Sequence, residues 1–203
     1  MPESVLVIAC GALAREINAL KQSHGWQHLH LKCIDAQLHN RPERIPERLR
    51  DKIRQYKQRY DRIFVAYADC GTGGAIDRVI AEEGAAIERL PGAHCYQFFA
   101  GDKRFAALSD AEPGTFYLTD FLARHFDKLV MKPLKLDEHP KLHDAFFGNY
   151  QRLVYLSQTQ DQALLAAARA AAKRLGLDFE HVHCGYGLLE SSLEGAVMRE
   201  TVG

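Results

Sequence analysis

The sequence predicts an α/β fold, a Rossmann-like parallel sheet sandwiched by helices with possible internal βα pseudo-repeats. Three observations carry that expectation: short β-branched apolar runs, helical periodicity between them, and Cys-Gly pairs where one gives way to the other. Ser4 to Ala9 (SVLVIA) has the length of a buried strand and stops at Cys10-Gly11 before the helix-like ALAREINALKQ. His30 to Ile34 is a second strand. It leads into Ala36 to Asn40, and Pro42 and Pro46 then bracket RIPERLRDKIRQYKQRY, where Pro46 suits the first turn of a helix. Arg62 to Ala68 (RIFVAYA) ends in Asp69-Cys70-Gly71-Thr72-Gly73-Gly74 before AIDRVIAEEG, so the first arrangement recurs about 60 residues on.

The second half continues the alternation. Residues 86–90 (AIERL) make a short strand, a Pro91-Gly92 turn follows, and His94-Cys95-Tyr96 opens an aromatic helix, QFFAGDKRFAAL. EPGTFYLTDFLARHF reads as a turn and an aromatic helix. Pro133 interrupts Leu129 to Asp137, which reads as loop or weak strand, and LHDAFFGNY reads as helix. Arg152 to Ser157 is a strand, and TQDQALLAAARAAAKRLG is the clearest helix, with Gly176 as its stop. Phe179 to His183 gives the last strand, followed by Cys184-Gly185 and a helix from Leu188. Strands separated by such helices pair in parallel through right-handed crossovers. No low-complexity linker interrupts the chain, so one domain over 1–203 is expected, with room for two or three lobes around a cleft.

Composition narrows the function. Lys plus Arg number 26 and Asp plus Glu 26, and this balance argues against nucleic acid or an acidic membrane as the main partner, since both demand an excess of basic side chains. A small-molecule substrate fits better. The opening residues have no basic leader, and no segment approaches the roughly 18 apolar residues of a membrane span, so the expected location is the cytoplasm. Thiols stay reduced there, and five Cys, an odd number, do not form a disulfide framework.

The thiols carry the chemistry. Cys10, Cys70 and Cys184 each end a strand and precede Gly, and Cys95 follows a Pro-Gly turn, whereas Cys33 lies inside a strand and reads as core. Ligands of parallel sheets collect at the carboxyl ends of the strands. A helix start there lowers a thiol's pKa and favours the metal-binding thiolate. The expected metal ligands are Cys10, Cys70 and Cys95, with His94 and Cys184 as further candidates. A single free Cys is more often a small apolar filler, but three at matching topological positions are less easily explained that way. Gly11, Gly71, Thr72, Gly73 and Gly74 could cradle a cofactor or anion through exposed N–H groups, or simply clear space for it. No Lys-Ser/Thr pair or full GxGxxG supports a nucleotide site. The acid–base candidates are His39, Asp69 and Glu16; against them stand a solvated loop His, a helix-capping Asp and a surface Glu.

ACGAL (9–13), LHNRPE (38–43), CGTGG (70–74), PGAHCY (91–96), YLTDFL (117–122) and FGNYQRLVYLSQT (147–159) together resemble the bacterial and archaeal family known as domain of unknown function sixteen thirty-eight. The resemblance implies that the family's Cys motifs fall at Cys10, Cys70 and Cys95, with Cys184 in a tail outside them. It also implies an association with corrinoid-dependent methyl transfer, and hence a corrinoid protein or methyltransferase as partner. Three thiolates with an open fourth position suit either zinc or a four-iron cluster, the latter resembling quinolinate synthase with its βα pseudo-repeats. The expected function is therefore a metal-dependent enzyme acting on a small molecule. Its rivals are a non-enzymatic metal or corrinoid accessory protein and a Cys-nucleophile enzyme without metal.

Overall fold

The computed structural model describes residues 3–84 and 87–198. The chain, expected as one domain, divides into two compact units, 1–98 with 186–203, and 99–185. Each has a parallel sheet of its own, which is why two cores form.

In the first unit the strands are β1 (Val5–Cys10), β2 (Leu29–Ile34), β3 (Arg62–Ala66) and β4 (Glu88–Arg89), all parallel in the order β2-β1-β3-β4. Val5 lies opposite Leu29 on one side and Arg62 on the other. Every residue of β1 is buried, as expected of a central strand covered on both faces. The edge strand β2 is buried only at its ends, so Cys33 is exposed and not the core residue its apolar neighbours suggested. Residue 86 of the expected fourth strand lies outside the described residues; the pairing seen is Phe64 with Glu88 and Val65 with Arg89.

Helices connect these strands. After β1 come the 3-10 turn Gly11–Leu13 and α1 (Ala14–Ser23); after β2, 3-10 turns at Ala36–Asn40 and Pro42–Arg44 and α2 (Ile45–Tyr56); after β3, α3 (Ala75–Glu83); and after β4, α4 (Cys95–Ala100). Ile45, Leu49 and Ile53, four residues apart, form the buried stripe of α2, whose first turn accommodates Pro46. Gly11 leaves little room for a side chain: an added Cβ would meet the Ile34 carbonyl oxygen at 3.2 Å. The turn after β1 is thereby pressed against the end of β2.

The expected aromatic helix over 97–108 is broken at Gly101, whose φ of 78° suits a residue without a Cβ, so α4 ends and α5 (Asp102–Ala111) begins anew. The second sheet has the order β5-β6-β7, with β5 (Thr115–Leu118), β6 (Arg152–Ser157) and β7 (Asp178–His183) parallel. β5 corrects the reading of EPGTFYLTDFLARHF. Its Thr-Phe-Tyr-Leu run pairs along β6, and the helix starts only at α6 (Asp120–Arg124), where the Thr119 hydroxyl accepts the Leu122 N–H. The segment read as loop or weak strand is instead a π-helical turn, Asp127–Met131, running into α7 (Lys132–Leu134). Pro133 sits in that helix's first turn, where no N–H is required. Then come α8 (Leu142–Phe147) and α9 (Gln162–Leu175), the latter capped by Asp161 and ended by Gly176 at φ 65°. Finally α10 (Leu188–Met198) returns the chain to the first unit. Among the described residues no helix is long and apolar enough to cross a membrane.

Candidate metal centre

Cys10, Cys70 and Cys95 all belong to the first unit, where its strands release the chain into turns. Cys10 closes β1 and caps the following turn, its Sγ accepting the Ala12 N–H at 3.3 Å. Cys70 has φ 52°, the left-handed region that a residue with a Cβ avoids, at an energy of about 1–3 kcal/mol. Its surroundings hold it there. The Cys70 N–H donates to Ala93 O at 2.9 Å and the Asp69 N–H to Gly92 O at 3.1 Å, joining the turn after β3 to the one after β4. The Asp69 carboxylate accepts the Thr72 hydroxyl at 2.8 Å and the N–H groups of Gly73 and Gly74 at 3.1 and 2.7 Å. This lacing brings the Cys70 thiol toward Cys95, the first residue of α4.

The sulfurs sense one another. Burial pushes the Cys95 thiol up, and the charges of Cys70 and Cys10 push it further. Burial likewise pushes Cys10 up to about 11; the Ala12 N–H and Tyr67 partly offset this, while the charges of Asp35 and Glu16 add to it. The sequence led us to expect helix starts to lower these pKa values. The Ala12 N–H does act in that direction, but desolvation is the larger effect. A bound cation would reverse the balance, and it would have to displace thiol protons. Metal affinity should therefore weaken as pH falls, by about tenfold per unit for each proton released. A competition titration with a chelator of known affinity, run between about pH 8 and about pH 6, measures that slope. A flat profile would mean that no thiol proton leaves.

His39 and Tyr67 complete the cluster. His39, on the turn after β2, places Nδ1 2.9 Å from Ala36 O and 3.8 Å from the Cys10 sulfur, and it lies close enough to Cys70 to feel its charge. Burial opposes the imidazolium, but Cys70 and the Ala36 carbonyl more than offset it, holding His39 above the usual imidazole range. Although solvent reaches the residue, the inner side of its ring faces the thiols. Tyr67 is 1% exposed, and its ring stacks with His39 at 6.5 Å between centroids. Its hydroxyl is directed toward the Cys10 sulfur, short of good hydrogen-bond geometry, and has no other protein partner. Burial, then the charge of Cys10, keep the phenol protonated. The sequence reading passed over Tyr67; its signal was a hydroxyl at the end of an aliphatic strand, two residues before Asp69-Cys70.

The other candidates fall elsewhere. Glu16 is buried on α1, and its charge is felt at Cys10. Asp69 is engaged by its own turn, with the Gly74 and Gly73 N–H groups and the Thr72 hydroxyl outweighing burial to hold its carboxyl below the usual range. Gly71, Gly73 and Gly74 have positive φ, and with Thr72 they shape that turn around Asp69. His94 is exposed, and its ring tilts against Tyr96 at 6.4 Å. Cys184 belongs to the second unit, where its Sγ lies 3.7 Å from Val182 O. Among the described residues, the group whose potential ligand atoms all lie within 4.8 Å of one another is His24, Glu190 and Glu194. That is a surface cluster in which His24 already bonds Glu190 at 2.9 Å and stacks on Trp26.

Among solved structures, ornithine carbamoyltransferase from Pyrococcus furiosus matches at 15% identity with a TM-score of 0.30, over 90% of this chain. The chain spans about half the length of that protein, 54%. No curated protein matches. The family model described as "Protein of unknown function (DUF1638)" matches residues 33–193, which take in Cys70, Cys95 and Cys184 and leave Cys10 upstream. With that model covering most of its length, the chain belongs to the DUF1638 family.

Proposed function

We propose that the protein is a metal-dependent enzyme in which Cys10, Cys70 and Cys95 hold an iron–sulfur cluster used on a small molecule. The supporting observation is geometric: Cys10, Cys70 and Cys95 stand where β1, β3 and β4 release the chain, the Cys70 N–H bonds Ala93 O beside Cys95, and the buried Tyr67 hydroxyl has no protein partner beyond the Cys10 sulfur it is directed toward. One zinc, with Zn–S near 2.3 Å, needs its sulfurs within about 4.6 Å of one another. The three thiols are not such a group. A cluster gives each thiolate its own iron and suits ligands set further apart. The residues present fit it: soft sulfur donors, and in Tyr67 a donor whose hydrogen bond a sulfide or substrate oxygen would accept.

Bound by three thiolates, a four-iron cluster supplies one Lewis-acidic iron for a substrate oxygen. The protein supplies the rest. The Asp69 turn positions Cys70, Tyr67 offers a proton that it does not lose at neutral pH, and buried Glu16 is the nearest acid–base group on α1. Cys10 and Cys95 are disfavoured as nucleophiles, because a nucleophilic thiol needs a lowered pKa and burial pushes both of these up. The engagement of Asp69 by its own turn favours one second reading, a non-enzymatic metal or corrinoid accessory protein with no free base. Tyr67→Phe separates the two. In the enzyme it should cut turnover by about a hundredfold with iron content unchanged; in an accessory protein it should leave methyl-transfer support intact.

Anaerobic purification with elemental analysis and an absorption spectrum tests the proposal. Iron with a broad visible band supports the cluster. Zinc without colour replaces the cluster with a mononuclear site, and neither metal removes the proposal.

A further inference from the structure

The second unit carries a cluster of its own at the carboxyl ends of its strands, the place where a parallel sheet presents its ligands. Tyr155 of β6 lies opposite His181 of β7, and Ser157 lies opposite His183. Residues two apart on a strand share a face, so all four side chains stand on one side of the sheet. The Tyr155 and His181 rings stack at 5.3 Å, with 19° between their planes. Together with His183 and with Asp161 at the start of α9, they border a cavity of about 260 Å³. Ser157, 1% exposed, joins the two imidazoles, its Oγ lying 2.9 Å from His181 Nε2 and 3.0 Å from His183 Nδ1. A hydroxyl has one hydrogen to give. With both rings neutral, Ser157 donates to one of these nitrogens and accepts an N–H from the other. Each neutral ring carries a single proton, so the remaining nitrogens, His181 Nδ1 and His183 Nε2, are fixed as one donor and one acceptor. Rotation of the hydroxyl exchanges the two roles and keeps the pair complementary.

Neither of those remaining nitrogens has a protein partner among the described residues, and both belong to exposed rings that line the cavity. Burial, then the charges of His183 and Arg169, hold His181 below the usual imidazole range against the pull of Asp120. The charge of the wall narrows the ligand. The Asp161 carboxylate stands there, and its Oδ1 already accepts the Ala163 and Leu164 N–H groups at 2.8 and 3.3 Å, so the start of α9 has little to offer an anion. A carboxylate ligand has no hydrogen to give and would leave the lone-pair nitrogen facing its charge. An ammonium has no lone pair and would leave the ring N–H unmatched. A neutral amide carries both an N–H and a C=O and satisfies the two nitrogens together. We propose that this cavity is a second ligand site, which takes a neutral small molecule bearing an amide through the complementary nitrogens of His181 and His183. Tyr155 and Leu165 add apolar contact. The site shares no residue with the thiol cluster and stands whether or not a metal binds there.

The test uses the full chain with 15N-labelled histidine at about pH 8, where ordinary imidazoles are neutral. Long-range proton–nitrogen NMR reads the tautomer of each ring. Because Ser157 meets Nε2 of one ring and Nδ1 of the other, His181 and His183 should show the same ratio of tautomers. Benzamide, benzoate and benzylamine, which share an aromatic ring and differ in the polar group, are then titrated in. Benzamide should shift the His181 and His183 signals saturably and bind at least about tenfold more tightly than either charged analogue. His183→Ala, a change at an exposed residue of the edge strand β7, should fold normally and lose that preference. Unequal tautomer ratios, no shift with benzamide, a charged analogue that binds as tightly, or a preference that survives in His183→Ala would each overturn the proposal.

Discussion

Cys70→Ser is expected to strip the metal from the protein and leave the fold in place. Cys70 is half-buried and lies in a turn, so the substitution removes a soft ligand without opening a cavity in either sheet. The turn itself is held by Asp69 and by backbone bonds to Gly92 and Ala93, none of which uses the thiol. Serine replaces sulfur with an oxygen that stays protonated at neutral pH and ligates iron poorly. Iron per chain should fall by at least about tenfold, with the thermal unfolding midpoint of the metal-free protein changed by no more than a few degrees. Cys33→Ser is the control, since that thiol is exposed on β2, and it should retain full iron. Equal iron in the two variants would sink the site. Cys10→Ser and Cys95→Ser should also lose metal, but Cys10 is buried at the end of the central strand, and its replacement will also affect stability.

Asp120→Ala should be the most damaging single substitution in the second unit. Asp120 is 1% exposed at the start of α6, and its carboxylate accepts the Tyr155 hydroxyl at 2.6 Å, the N–H groups of Gln158 and Thr159 at 3.0 Å each, and the Thr159 hydroxyl at 2.5 Å. In return the Asp120 N–H donates to the Gln158 side chain at 2.8 Å. One carboxylate thus ties the end of β5 to the end of β6, beside a pocket of about 260 Å³ lined by Tyr155, Thr159, His181 and His183. Alanine would leave the Tyr155 hydroxyl and the Gln158 N–H buried without that acceptor, each at about 1–3 kcal/mol, while water can reach exposed Thr159, so the loss in unfolding free energy should be about 3 kcal/mol. Urea unfolding of the two proteins measures it. A difference below about 1 kcal/mol would mean that water or a shifted side chain replaces the carboxylate.

The sequence was most legible where burial is two-sided. SVLVIA, RIFVA and RLVYLS are unbroken apolar runs because their strands are covered on both faces, and the β6 bounds match the residues read as that strand. Reading failed where propensity and context disagree. Thr115 to Leu118 has no run long enough to stand out from the helix after it, and only its pairing with β6 makes it a strand. Pro133 looked like a breaker because its position within a helical turn was not visible. At the candidate site, the thiols could be picked out by their place after strands. Their electrostatics could not, because how deeply Cys10 and Cys95 are desolvated depends on residues distant in sequence. Tyr67 stayed hidden for the same reason: nothing in RIFVAYA marks its hydroxyl as the one left without a partner.

The return of α10 to the first unit bears on how the chain is made. Leu189, Leu193 and Ala196 are buried, and they are translated after the whole of 99–185. A ribosome releases the later-starting unit as one uninterrupted stretch while the earlier one still awaits its final helix. The segment that begins second is thus the first that can finish folding, and the unit with Cys10, Cys70 and Cys95 remains incomplete until α10 has been made.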